Sequence, residues 1–266
     1  MYYDYHTHSS FSDDSDTPLS DMLDQAVKCG IKEIAVTDHF DPGYPDPEFP
    51  FELAFDDYHK TLEAYTPEYM KRGLRIAKGI EIGIQHDQLD RCREAASSYD
   101  YDYIIGSFHC ALGEPLYEGH FFDGKTPKQA FCDYFEYMYD NLKVYKDYCN
   151  IGHMNLVARY SHAMADFMDY GDIVEAILKM IIADGKGIEL NTSSFRYKMS
   201  CTCPSEEILR MYRELGGEII SIGSDAHTPD KLTDHFDYAI EYLQSLGFKY
   251  LASFTKRRPS FVPLEK

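Results

Sequence analysis

The chain has 266 residues and a formal charge of −19, from 45 acidic residues against 26 basic ones. That length allows a core of ordinary size, in one large domain or two small ones. The charge argues against a nucleic-acid groove, because phosphate polymers are bound mainly through Lys and Arg, although a few arginines and bound metal ions can still make one pocket attractive to a small phosphorylated molecule.

Short apolar strands alternate with longer helical patterns along the whole chain, the pattern of an α/β fold. The first strand is expected at Tyr2 to His6, followed by a helix that carries Leu19, Met22, Leu23, Ala26 and Val27 and stops at Gly30. Glu33 to Thr37 is the next strand. A Pro-rich loop from Pro42 to Pro50 leads to a helix with Tyr58, Leu62, Tyr65 and Tyr69, then to the strand Ile76 to Ile82. Tyr103 to Ser107 follows as a strand. The helix after Pro127 places Phe131, Phe135, Met138, Leu142 and Tyr145 on one face, which is a core stripe. Asn150 to His153, Gly187 to Asn191 and Glu218 to Gly223 are expected strands, alternating with helices at Ile173 to Ile181 and Ile208 to Leu215. A last helix carries Leu232, Phe236, Ile240 and Leu243, and Lys249 to Phe254 adds one more strand. About seven β/α units favour a closed barrel over an open sheet, in a single domain spanning residues 1–266.

The seven cysteines are scattered and odd in number, which speaks against a disulfide framework and for reduced thiols in a cytoplasm. Cys201 and Cys203 are read as an incidental loop pair and not as metal ligands. No stretch approaches the ~20 apolar residues that span a bilayer, so neither a membrane nor export is expected.

The informative feature is where the histidines fall. His6, His39, His109, His153 and His227 each lie at or just past the end of an expected strand, on the rim where parallel α/β folds gather their active sites. His6 and His8 are two apart on a strand and so point to one side, as suits a shared metal. Glu81 sits in an otherwise apolar strand, where a charge is costly unless paired or metal-bound. Asp225 and His227 repeat the two-residue spacing at the far end of the chain. His59, His86, His162 and His235 fall in or beside helices and are read as packing or solvated residues, and His120, in a Gly-containing loop, is not assigned.

In chain order, His6-Thr7-His8, Thr37-Asp38-His39, Gly79-Ile80-Glu81, Gly106-Ser107-Phe108-His109, Gly152-His153 and Ser224-Asp225-Ala226-His227 resemble the motif blocks of the polymerase and histidinol phosphatase (PHP) superfamily. The resemblance implies a distorted (β/α)7 TIM-like barrel with two or three divalent ions, zinc, manganese or iron, and no organic cofactor. It implies one metal on His6, His8, Glu81 and Asp225, a second on Glu81, His109 and His153, and a third on His39, His227 and a loop residue, either Asp14 or Asp13. Within the superfamily, the His-Thr-His start, Gly152-His153-Met154-Asn155-Leu156 with Arg159, and Asn191-Thr192-Ser193 with Arg196 resemble the stand-alone L-histidinol-phosphate phosphatases. That resemblance implies hydrolysis of a small phosphorylated metabolite by a metal-bridging hydroxide, with His6, His8, Glu81, Asp225 and His227 at the reaction centre. Arg159 and Arg196 then bind phosphate, for which a guanidinium offers a planar fork of donors. The alternatives are a PHP phosphoesterase of other specificity, such as for phosphotyrosine, a nuclease, and a non-catalytic metal-binding barrel. The general acid, the residues that recognise the alcohol half and the oligomeric state are left open.

Overall fold

A computed structural model describes residues 1–117 and 119–265. Seven parallel strands form its centre: β1 (Tyr2–Thr7), β2 (Ile31–Val36), β3 (Arg75–Gly83), β4 (Tyr103–Ser107), β5 (Asn150–Ile151), β6 (Gly187–Asn191) and β7 (Ile220–Gly223). They pair in chain order, with a two-residue strand at His39–Phe40 added beside β3. The ring closes between β7 and β1 through Asp225 N–H to the His6 carbonyl, 2.8 Å, and His8 N–H to the Ala226 carbonyl, 2.9 Å. The result is the expected distorted (β/α)7 barrel. Among the described residues no helix is long and apolar enough to cross a membrane.

Among the described residues seven helices of nine residues or more cover the barrel: α1 (Leu19–Lys28), α2 (Phe55–Lys71), α3 (Leu89–Ser97), α4 (Pro127–Val144), α5 (Phe167–Ala183), α6 (Glu206–Glu214) and α7 (Phe236–Ser245). Their starts follow local chemistry. Thr126 and Gln129 form a reciprocal capping box at α4, with Pro127 in the first turn, and Asp166 caps α5 by accepting from Met168 N–H. The expected stripe on α4 is buried, and each such large side chain contributes roughly 1.5–3 kcal/mol through its removal from water. α3 has no counterpart in the periodicity, because its buried face is Leu89, Cys92, Ala95 and Ala96, mostly small residues that carry little hydrophobic signal.

The last expected strand exists but is not a barrel strand. Tyr250–Thr255 (β8) pairs antiparallel with Arg258–Pro263 (β9) through a two-residue turn, Lys256 and Arg257, both at positive φ as a type I′ turn requires. This hairpin brings Ala252 and Phe254 against Tyr5, Ala35, Ala77, Tyr103, Ile105 and Cys149, and so plugs the end of the barrel where the strands begin.

β1 carries an irregularity that the site depends on. Tyr5 packs into that plug while His6 and His8 point into the opposite end of the interior, which a regular alternating strand cannot do. Between Asp4, paired with Ile34, and Thr7, paired with Val36, β1 spends one residue more than β2. That bulge turns the histidines inward.

Candidate active site

All eleven residues singled out from the sequence come together at the C-terminal rim. Glu81 is fully buried at the centre. Its Oε2 lies 2.9 Å from His6 Nε2, 3.4 Å from His8 Nε2 and 3.2 Å from His39 Nδ1. Its Oε1 lies 3.0 Å from His153 Nε2 and 3.4 Å from His109 Nε2, and also accepts from the Ser107 hydroxyl. The two oxygens thus serve two different sets of histidines, the disposition of a bridging carboxylate. Asp225 Oδ1 is 3.4 Å from His8 Nε2 and 3.8 Å from His6 Nε2.

The loop after β1 decides between its two aspartates. Asp14 Oδ2 lies 3.1 Å from His227 Nε2 and 3.8 Å from His39 Nε2. Asp13 instead turns to the Pro-rich loop and accepts the Phe51 N–H at 2.6 Å. The His8 ring lies between the rings of His39 and His227, 4.2 Å from each centroid, so His8 borders two of the sets and not one.

The donor set fits divalent cations. His8 Nε2, His39 Nδ1 and His227 Nε2 are buried with carboxylate oxygens at 3.4, 3.2 and 3.1 Å but without the alignment of a hydrogen bond, a costly state for polar atoms. Two ligand atoms about 2.0–2.1 Å from one ion at a tetrahedral angle are separated by about 3.4 Å, which is the spacing from His8 Nε2 to both Glu81 and Asp225. Among the described residues four triads keep their ligand atoms within 4.8 Å of one another: His6, His8 and Glu81; Glu81, His109 and His153; His8, His39 and His227; and His39, Asp41 and His109.

Electrostatics point the same way. Burial alone would raise the carboxyls of Glu81 and Asp225, yet the surrounding histidines, His6 foremost, hold both well below the ordinary range. Burial also opposes charge on His6 and His39, but Glu189 and Glu81 raise His6 well above its usual value, and Glu81 and Asp14 bring His39 to about 9. His8, buried and flanked by the His227 and His39 rings, is pushed down to about 3. The raised His6 and His39 and the lowered Glu81 and Asp225 reflect an attraction between carboxylate and positive charge that cations supply in metal clusters.

A cavity of about 460 Å³ opens on this cluster. Arg159 is half-buried, stacks 4.2 Å over the Tyr197 ring, and donates from Nη2 to Ser193 Oγ at 2.6 Å, with Asp225 Oδ2 at 3.5 Å. Arg196 donates from Nη2 to the carbonyls of Ser224 and Asp225, at 3.1 and 2.8 Å. Arg159 Nε and Arg196 Nη1 have no hydrogen-bond partner among the described residues, and both arginines line the cavity. Tyr44, Phe49, Phe51, Tyr117 and Tyr160 make an aromatic wall further out.

Sequence reasoning passed over the residues that hold the candidate ligands in place. Asp41 hydrogen-bonds His109 Nδ1, in space left free because residue 83 is glycine. Asp38 accepts from Ser9 and Ser12, and Ser12 Oγ in turn accepts from His39 N–H at 3.0 Å and sits 3.2 Å from His8 Nδ1. Glu189 contacts His6. The signal for Glu189 was available, since it interrupts an apolar strand as Glu81 does. The remaining histidines stay outside: His59 packs on Tyr99 and Tyr101, while His86, His162 and His235 are exposed.

A model of the PHP domain matches residues 4–193, most of the chain. The chain belongs to the PHP family. It is 30% identical over 254 residues to a "Probable histidinol-phosphatase" of Clostridium acetobutylicum, covering 94% of this chain and 95% of that protein. To the histidinol-phosphatase of Lactococcus lactis subsp. lactis it is 27% identical over 256 residues, covering 95% and 94%. The crystal structure of the histidinol phosphate phosphatase from that organism, complexed with zinc, L-histidinol and phosphate, matches this PHP barrel with a TM-score of 0.87 at 26% identity, over 97% of this chain and 98% of that one.

Proposed function

We propose that this PHP barrel is a metal-dependent phosphomonoesterase that hydrolyses L-histidinol phosphate to L-histidinol and phosphate, a step of histidine biosynthesis. The observation that carries it is the pairing of a histidine–carboxylate cluster with two half-buried arginines, each with one N–H group unpartnered among the described residues, that line the same cavity. The relatives named histidinol-phosphatase support the choice of substrate.

Two or three divalent ions, zinc, manganese or iron, are assigned to His6, His8, Glu81 and Asp225, to Glu81, His109 and His153, and to His39, His227 and Asp14. Bound there, they supply Lewis-acid charge for phosphate oxygens and lower the pKa of water towards neutrality. The chain's own residues do the rest. Arg159 and Arg196 receive phosphate oxygens on N–H groups that the fold leaves unused, and being already fixed they need little reorganisation as charge shifts in the transition state. Glu81 and Asp225 hold the histidines around a common centre. The aromatic wall faces the alcohol half, and among the described residues Asp46 is the cavity-lining carboxylate outside the metal groups, placed to meet a cation. Seven free cysteines fit a reducing compartment, and we place the enzyme in the cytoplasm.

The deciding experiment combines elemental analysis of the purified protein with phosphate release from histidinol phosphate, p-nitrophenyl phosphate and phosphotyrosine peptides, and with cleavage of DNA. Bound divalent metal and a kcat/KM highest for histidinol phosphate are expected. A higher kcat/KM for another ester moves the assignment to that substrate, and metal binding without any hydrolysis ends it.

A further inference from the structure

We propose that Glu189 is a positioning residue that ties together ligands of two metal sites, so that one carboxylate sets the affinity of both. Glu189 stands mid-strand on β6 and is wholly buried. Its Oε1 accepts from His6 Nδ1 at 2.7 Å, and its Oε2 accepts from the backbone N–H of His153 at 2.9 Å and from Asn191 Nδ2 at 3.1 Å. A buried carboxylate is tolerated only when its oxygens are met by donors, and here each oxygen is met from a different ligand-bearing segment.

The fold keeps space for this group. A Cβ on residue 223 would lie 2.0 Å from Glu189 Oε1 and 2.4 Å from His6 Cβ, so glycine is required there. His153 sits at φ 24°, a left-handed conformation that a non-glycine residue holds only when its surroundings impose it. The bond from its N–H to Glu189 is one such restraint.

The consequence is geometric. With Nδ1 donating to Glu189, His6 turns its Nε2 to Glu81 Oε2, while the pinned His153 presents its Nε2 to Glu81 Oε1. Glu189 thus delivers two histidines to the two oxygens of the bridging carboxylate, one for each of two metals. A carboxylate behind a ligating histidine fixes its tautomer and orientation and raises its basicity. His39, His227 and Asp14 make no contact with Glu189 among the described hydrogen bonds, so the third site is outside its reach.

This rests on the metal reading of the rim, and the test separates the two. Metal-free wild type and E189Q are titrated with zinc against a chromophoric chelator, and the unfolding midpoint of each metal-free protein is recorded. A carboxamide can accept on one side only and must oppose an N–H on the other. E189Q is expected to lose about 10–100-fold in affinity at two sites, with the third site and the metal-free midpoint little changed. Equal affinities in E189Q and a zinc-binding wild type overturn the positioning role. So does a fall in the metal-free midpoint without a fall in affinity, which is the mark of a merely structural group. A wild type that binds no zinc overturns both readings. A second measurement needs no variant: long-range proton–nitrogen spectra of the zinc-loaded wild type should show His6 protonated at Nδ1, and a His6 without that proton overturns the proposal.

Discussion

The two ends of the barrel are built by the same strands with opposite chemistry. Where the strands begin, Tyr5, Ala35, Ala77, Tyr103, Ile105 and Cys149 close against Ala252 and Phe254 of the hairpin. The polar groups against the hairpin are engaged: Tyr5 donates to Glu33, Ser253 donates to it at 3.0 Å, Arg75 pairs with it at 2.5 Å, and Phe254 N–H donates to the Tyr5 hydroxyl at 2.7 Å. Where the strands end, buried histidine nitrogens and an Asp41 oxygen are left without partners, and His153 and Asp225 occupy left-handed φ of 24° and 54°. One end is satisfied and the other is not. Strain and unpaired polar atoms persist where function needs them, while the closed end supplies the stability that tolerates them.

That contrast can be broken by substitution. Asp225→Asn and His8→Ala remove ligands from the rim and should lower metal content and reduce kcat/KM on the order of a thousandfold, about 4 kcal/mol in the barrier, as read by elemental analysis and phosphate release. Retained metal and rate would contradict the assignment. At the other end, Phe254→Ala opens a cavity beside Tyr5 and Tyr103, and should cost about 3–5 kcal/mol in urea unfolding with little change in the kcat of the folded fraction. Arg196→Ala lies between these extremes. It should keep the metals and lose about 100-fold in kcat/KM, a split that metal analysis and kinetics separate.

The smallest effect belongs to a histidine outside the rim. Burial lowers the pKa of His59 from 6.5, so the unfolded chain takes up its proton first as pH falls. Its contribution to stability is complete above about pH 6.5 and declines below it. His59→Phe should therefore flatten the acid side of the stability profile measured by urea unfolding, and an unchanged slope would show that His59 does not titrate on unfolding.

Much of the rim was legible because a buried charge or imidazole in an apolar strand is conspicuous, as at Glu81, and because strand ends locate the histidines even without contacts. Glu189 carried the same signal, yet its role appears only when β6 is seen to lie behind both His6 and His153. Asp41 was less visible, lying at the mouth of a Pro-rich loop where carboxylates are ordinary. α3 was missed for lack of large apolar residues, and β9 because Pro259 and Pro263 argue against a strand unless it is an edge.

By itself the sequence determined the alternation of strands and helices, the absence of a basic groove, and the rim position of His6, His8, His39, Glu81, His109, His153, Asp225 and His227, since these depend on side-chain periodicity and the direction of parallel strands. Only the tertiary structure decided that Asp14 and not Asp13 faces the cluster, that Arg159 and Arg196 keep free N–H groups beside it, and that a bulge in β1 turns both histidines inward. Those depend on which way a side chain points once neighbouring segments compete for it, and residues distant along the chain settle that competition.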